Sequence, residues 1–215
     1  MKLSTILLFA CLSAAANAQA NTNSMINYIV NGEIVKPWKM SIGNALNWSI
    51  PVAEGRAETA KGNLVVSPSE DEEGAMHLKW RGKVVKNQWG GNTLNQSFVT
   101  LSGNKIDLST IVDNAAIAFQ VKKLRNPSKD VALTMRCKNS NKCEEKFAIK
   151  HILKRLPSDE WKMLTVPLNC FAKGGDFDYS QITDIFKIAT EGKLDMLIKN
   201  VGLISLPTGS KGCAK

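Results

Sequence analysis

Apolar and polar positions alternate along short runs through most of the chain, which is the pattern of strands buried on one side. Met76, Leu78 and Trp80 alternate with His77 and Lys79. Phe98 and Val99 lead through Thr100 to Leu101. Ile117, Phe119 and Val121 alternate with Ala118 and Gln120. Val131, Leu133 and Met135 alternate with Ala132, Thr134 and Arg136. Trp161 to Val166 reads as a further strand stopped by Pro167, with Trp161 in the core. Leu194 to Leu206 reads as a long final strand with a bulge at Gly202. Turn-forming residues punctuate these runs: Ser67-Pro68-Ser69, Gly90-Gly91-Asn92, Ser102-Gly103-Asn104, Asn126-Pro127-Ser128 and Gly174-Gly175-Asp176. Two stretches have another period. Ile149, Ile152, Leu153 and Leu156 share one face of a short helix that ends before Pro157, and Tyr179 to Ile182 predicts a single helical turn. Many short strands with regular turns predict a mostly β fold, a β-sandwich with one or two short helices.

The first residues read differently. Met1-Lys2 is followed by an apolar run, Ile6 to Leu12, and then by Ala16-Asn17-Ala18-Gln19-Ala20, the layout of a secretory signal peptide over residues 1–20. Residues 21–215 then form one expected domain of about 195 residues. The protein is expected to be exported, periplasmic or extracellular, with no membrane span. An alternative processing would lipidate Cys11, but Phe9 is bulky for that site.

Export changes the meaning of the cysteines. Four of the five lie beyond residue 20: Cys137, Cys143, Cys170 and Cys213. An even count in an oxidising compartment argues for disulfides. Cys137 and Cys143 flank Lys138-Asn139-Ser140-Asn141-Lys142, a polar turn that would bring them together. Cys170 then pairs with Cys213. No C-x-x-C occurs, and His77 and His151 fall in separate elements, so no metal site is expected from these residues.

Lys and Arg number 28 against 19 Asp and Glu, a formal charge of +9. The excess is scattered, at Lys83, Lys86, Lys122, Lys123, Arg125, Lys150, Lys154 and Arg155, as on a solvated surface. No aromatic stripe interleaves with arginine, so nucleic acid is not an expected partner. Glu70-Asp71-Glu72-Glu73 reads as a solvated loop.

Catalytic signatures are missing. There is no G-x-S-x-G and no phosphate-binding glycine loop. Carboxylates are present, but nothing in their spacing pairs two of them for glycoside hydrolysis. The tryptophans carry more information, because sugar rings stack their C–H faces on flat aromatic surfaces. Trp89 lies in polar Asn87-Gln88-Trp89-Gly90-Gly91-Asn92, where burial is difficult. Trp80 shares the face of Met76 and Leu78, which favours packing, yet it ends its run beside Arg81. Trp89 and Trp80 are the candidate stacking residues, with Arg81, Asn92 and Asn95 as hydrogen-bonding partners. Trp38 and Trp48 flank the first strands and are left open.

A resemblance joins these segments. Ala75 to Gly82 is similar to the L-x-W-x-G strand of the ExoP-type C-terminal domain, which follows the catalytic part of certain bacterial exo-β-glucanases of glycoside hydrolase family 3. Ile106-Asp107-Leu108-Ser109 resembles the D-L-S turn of that family. Val131 to Cys137 with Cys143 continues the likeness, as does Trp161 to Phe171, like W-x-x-L-x-(I/V)-P-L-x-C-F. Ile182 to Leu197 resembles the strand pair that follows. The resemblance implies a galactose-binding-like jelly roll, a fold in which a structural calcium ion is common. The chain departs from the family pattern in having no room for the large catalytic region. The resulting expectation is a non-catalytic module that binds β-glucan or a related polysaccharide. The alternative is a protein-interaction module that braces or recruits a separate glycoside hydrolase.

Overall fold

The computed structural model describes residues 24–45, 47, 49–171, 177–210 and 212–213. The expected signal peptide, Trp48 and Gly174-Gly175-Asp176 lie outside them. In chain order the strands are β1 (Ser24–Val30), β2 (Glu33–Ile34), β3 (Lys39–Gly43), β4 (Ile50–Pro51), β5 (Ala57–Glu58), β6 (Leu64–Pro68) and β7 (Met76–Arg81). They continue with β8 (Ser97–Ile106), β9 (Ala115–Arg125), β10 (Val131–Cys137), β11 (Glu144–Ala148), β12 (Trp161–Pro167), β13 (Ile182–Thr190) and β14 (Lys193–Ser205). One helix, α1 (Lys150–Arg155), links β11 to β12, and Tyr179–Gln181 forms a single 3-10 turn. No helix among the described residues is long and apolar enough to cross a membrane.

The strands form two antiparallel sheets. One runs β12-β9-β14-β7-β6-β5, with β1 on the far half of β14 and β2 on β1. The other, six-stranded, runs β11-β10-β13-β8-β3-β4. The alternations read from sequence decide which residues lie between them. Met76, Leu78 and Trp80 of β7 and Ile117, Phe119 and Val121 of β9 meet Leu133 and Met135 of β10 and Phe186 and Ile188 of β13. Phe119 stands edge-to-face on Phe186, with centroids 5.2 Å apart, so this pair spans the sandwich at its centre.

Both expected disulfides form. Cys137–Cys143 closes the β10–β11 turn, and Cys170–Cys213 ties the tail beyond β14 to the turn after β12. Helix α1 ends at Arg155, and the carbonyls of Lys154 and of the capping residue Leu156 face the Lys123 ammonium, with Leu156 O at 2.5 Å. A cation at the end of a helix complements its unpaired carbonyls. Lys123 is therefore buried, not part of the solvated charge excess.

Three other expectations are corrected. Trp161 is not in the core: β12 pairs it with Lys122 of β9, on the outer face of the larger sheet. There its indole donates to Glu72 Oε2 at 3.2 Å and lies under Lys199. Glu72 also accepts from Lys122 at 2.7 Å, so the acidic loop is pinned to the sheet through this one residue while Glu70, Asp71 and Glu73 stay at the surface. Against β9, β14 shifts register twice, between Asp195 and Met196 and between Ile198 and Val201, both ahead of Gly202.

The turn from β13 to β14 packs against residues 126–130. Lys193 N donates to Ser128 Oγ at 2.7 Å, and a Cβ on Gly192 would lie 2.6 Å from Lys129 N. Gly192→Ala is expected to cost about 1–3 kcal/mol, because backbone rather than a flexible side chain must give way. Urea unfolding checks this, and an unchanged midpoint would show that the turn relaxes freely.

Candidate functional site: a groove on the six-stranded sheet

The outer face of the six-stranded sheet carries a groove of about 880 Å³. The sheet face around it follows from strand register, since residues opposite one another on neighbouring strands form rows across the sheet. One row is Gly43, Phe98, Ala189, Ala132 and Ala148. The next is Ser41, Thr100, Lys187, Thr134 and Lys146. The third is Lys39, Ser102, Asp184, Arg136 and Glu144. The first row therefore sets one aromatic ring among residues too small to rise beside it. The second and third rows are polar and charged. Asn44, Ala45, Ser49 and Gln96 complete one end, and Asn139 and Asn141 of the disulfide-closed turn complete the other.

The charges interlock. Arg136 Nε donates to Asp184 Oδ2, and Lys187 Nζ donates to Glu144 Oε2 at 2.8 Å, with Lys146 Nζ 3.3 Å from Glu144 Oε1. Burial pushes the Asp184 carboxyl above the ordinary aspartate range, although the Arg136 guanidinium pulls the other way. Burial also opposes ionisation of Glu144, but the hydrogen bond and charge of Lys187, aided by Lys146, outweigh it and leave that carboxyl below its ordinary range. Lys187 additionally lies 4.8 Å above the Phe98 ring. Among the described residues, three buried polar atoms of this face have no hydrogen-bond partner: Thr100 Oγ1, Thr134 Oγ1 and Asp184 Oδ1.

Neither carboxylate is placed for hydrolysis. The Asp184 side chain is 1% exposed and that of Glu144 is 9%, and both are held by cations. A general acid or nucleophile must reach the glycosidic bond.

The residues singled out from sequence lie elsewhere. Trp80 is only 2% exposed, with its indole donating to Ser97 O at 3.0 Å, so its ring is part of the core and offers no stacking face. Arg81 points to the opposite side of β7 from Trp80 and stands beside Glu58 at the edge of the larger sheet. Trp89 is 77% exposed at the tip of the β7–β8 connection. That connection is braced from within. Asn87 Oδ1 accepts from the backbone N–H of Trp89 and Gly91, and Asn87 Nδ2 donates to Thr93 Oγ1. Asn95 is one of the braces, since its Oδ1 accepts from Val85 N at 2.8 Å and its carbonyl accepts from Asn63. The carbonyl of Asn92 accepts from Asn95 N within the same connection. Trp38 packs edge-on against Tyr28 at 4.7 Å.

Sequence reasoning did not find Phe98, Arg136, Glu144, Asp184 or Lys187 as site residues. One signal was available: Asp184 and Lys187 interrupt the apolar run Ile182 to Ala189, where a strand with one solvated face need not place a carboxylate. Among the described residues no cluster of three or more His, Cys, Asp or Glu side chains gathers.

Comparison with known proteins settles the family. The model of the galactose-binding-like family Exop_C matches residues 36–203. The chain belongs to that family. Among solved structures, this Exop_C domain is similar to the extra C-terminal domain of the exo-1,3/1,4-β-glucanase ExoP from a Pseudoalteromonas species. The two share 17% identity over 88% of this chain and 99% of that domain, with a TM-score of 0.64. Against the whole glucanase the match covers 22% of that enzyme's chain. A family 30 carbohydrate-binding module is similar at 16% identity over 77% of this chain and 92% of its own, with a TM-score of 0.53. The family 11 carbohydrate-binding module of Clostridium thermocellum, solved with a β-1,3-1,4-mixed-linked tetrasaccharide, is similar at 14% identity over 83% and 95%, with a TM-score of 0.50. At these identities the likeness concerns the fold. No curated protein matches the Exop_C domain by sequence.

Proposed function

We propose that the protein is an exported, non-catalytic carbohydrate-binding module whose ligand lies across the outer face of the six-stranded sheet. The observation that carries this reading is Phe98, which lines the groove from the first row of that face. Phe98 projects half-exposed from a strip of glycine and alanines with the Lys187 ammonium 4.8 Å from its ring centroid, so a sugar ring can settle against the uncovered part of the aromatic, with the ammonium and the hydroxyls, amides and charges of the next rows within reach of its polar edge. The two disulfides are those of an oxidising compartment. Burial of both groove carboxylates supports binding without turnover. Trp89, exposed on the connection between β7 and β8, offers a further aromatic surface for a ligand.

The test is affinity electrophoresis of residues 21–215 on gels that contain β-glucans and other polysaccharides. Phe98→Ala is expected to weaken binding by about 1–3 kcal/mol, the value of removing a large aromatic contact, while the unfolding temperature stays near that of the parent. Trp89→Ala is expected to do the same to a smaller degree. Retardation that survives Phe98→Ala unchanged would move the ligand off this sheet.

A second reading rests on a different observation. Trp89 and Val84 are both strongly exposed on one connection, an apolar tip suited to a protein partner such as a separate glycoside hydrolase. Under that reading Trp89→Ala abolishes capture of the hydrolase and Phe98→Ala does not.

A further inference from the structure

The charges of the groove narrow the ligand further. A groove built for a neutral glucan obtains its affinity from aromatic platforms, and the described lining here holds one, Phe98. That ring already lies beneath the Lys187 ammonium. Three cations line the groove, Arg136, Lys146 and Lys187, against two carboxylates, Glu144 and Asp184. Depth matters more than number. The carboxylate side chains are 9% and 1% exposed, whereas Arg136 is 18%, Lys187 15% and Lys146 60% exposed. The anions are sunk into the floor and the cations stand above them. Each carboxylate thereby orients a cation, and the surface that a ligand meets is positive.

Resting on the carbohydrate reading of the same groove, we infer that the ligand is an acidic polysaccharide, one whose sugar rings carry carboxylate or sulfate. A ring laid on the Phe98 strip places a substituent on its edge beside Lys187. The adjacent rows then offer Lys146 and the guanidinium of Arg136, which is steadied by Asp184 and by Asn141 Oδ1 at 3.4 Å. Charge-assisted hydrogen bonds of this kind are about twice as strong as neutral ones and fix orientation. The overall charge of +9 further assists encounter with a polyanion.

The experiment is titration calorimetry of residues 21–215 with polygalacturonate, a sulfated galactan and a neutral mixed-linked β-1,3-1,4-glucan. The salt concentration is varied from about 50 mM to about 500 mM, a range over which exposed charges become screened. Lys146→Gln is the groove variant, because an exposed side chain can be replaced without loss of the fold. Lys162→Gln, exposed on β12 of the other sheet, is the control. The expected result is an acidic glycan bound about tenfold or more tightly than the neutral one, weakened by salt and weakened about fivefold by Lys146→Gln alone. Preference for polygalacturonate identifies the anion as a carboxylate and preference for the galactan as a sulfate, and either supports the acidic class. Equal or stronger binding of the neutral glucan overturns this inference and leaves the carbohydrate reading standing. Equal losses in Lys146→Gln and Lys162→Gln overturn it as adsorption to a basic surface. Failure to bind any of the three overturns it together with the carbohydrate reading.

Discussion

Replacing Cys170 and Cys213 together by alanine is expected to lower the unfolding free energy by about 4 kcal/mol. The bridge closes a loop with a sequence separation of 43 residues, and the entropy of closing such a loop in the unfolded chain gives about that value. The same relation gives about 2 kcal/mol for Cys137–Cys143, whose separation is six. The longer bridge also has a structural consequence. It fastens the tail beside Asn169, whose Oδ1 accepts from Cys213 N at 3.1 Å, and Cys170 itself belongs to the core. Urea unfolding of the two double variants under oxidising conditions measures both losses. An inverted order, with the short bridge worth more, would mean that the β10–β11 turn stabilises the native state in ways beyond loop closure.

The Arg136–Asp184 pair yields the second large effect. Arg136→Ala leaves a carboxylate with a side-chain exposure of 1% without its ion-pair partner, with Lys187 as the remaining cation that acts on it. Removing one partner of a buried pair costs about 3–5 kcal/mol, and the partial exposure of Arg136 places this case at the lower end. The pH dependence identifies the responsible group. Burial already raises the folded Asp184 pKa above its unfolded value, and loss of the guanidinium raises it further. A group with a raised folded pKa favours folding below its unfolded pKa, about 3.9, and loses that contribution as pH rises through the folded value. The deficit of Arg136→Ala relative to the parent is therefore small near pH 4 and largest at neutral pH and above. Denaturant midpoints of both proteins from pH 4 to 8 measure it. A deficit independent of pH would assign the loss to packing of the arginine stem.

The two effects also mark what could be read before folding. Cysteine parity and a polar five-residue turn were sufficient for both bridges, because a short hairpin leaves its flanking residues few other partners. The alternations in β7, β9 and β10 named the core correctly, since one side of each strand meets the opposite sheet. Trp161 escaped this logic. Its strand lies at the edge of the larger sheet, where an indole that stacks under Lys199 and bonds to Glu72 is as well accommodated outside as a leucine is within.

The sequence alone determined the mostly β class, the strand faces that meet in the core, the short helix before Pro157, the disulfide framework and the family likeness. All of these depend on neighbours a few residues apart or on motifs kept in order. It also marked Trp89 as difficult to bury, and that residue is exposed. Only the tertiary structure decided where a site forms. The groove draws Phe98 from β8, Arg136 from β10, Glu144 from β11, and Asp184 and Lys187 from β13, positions far apart in the chain that cross-strand register joins. Local pattern is blind to register, because the period of two shows which face a side chain takes and not which residue it meets there.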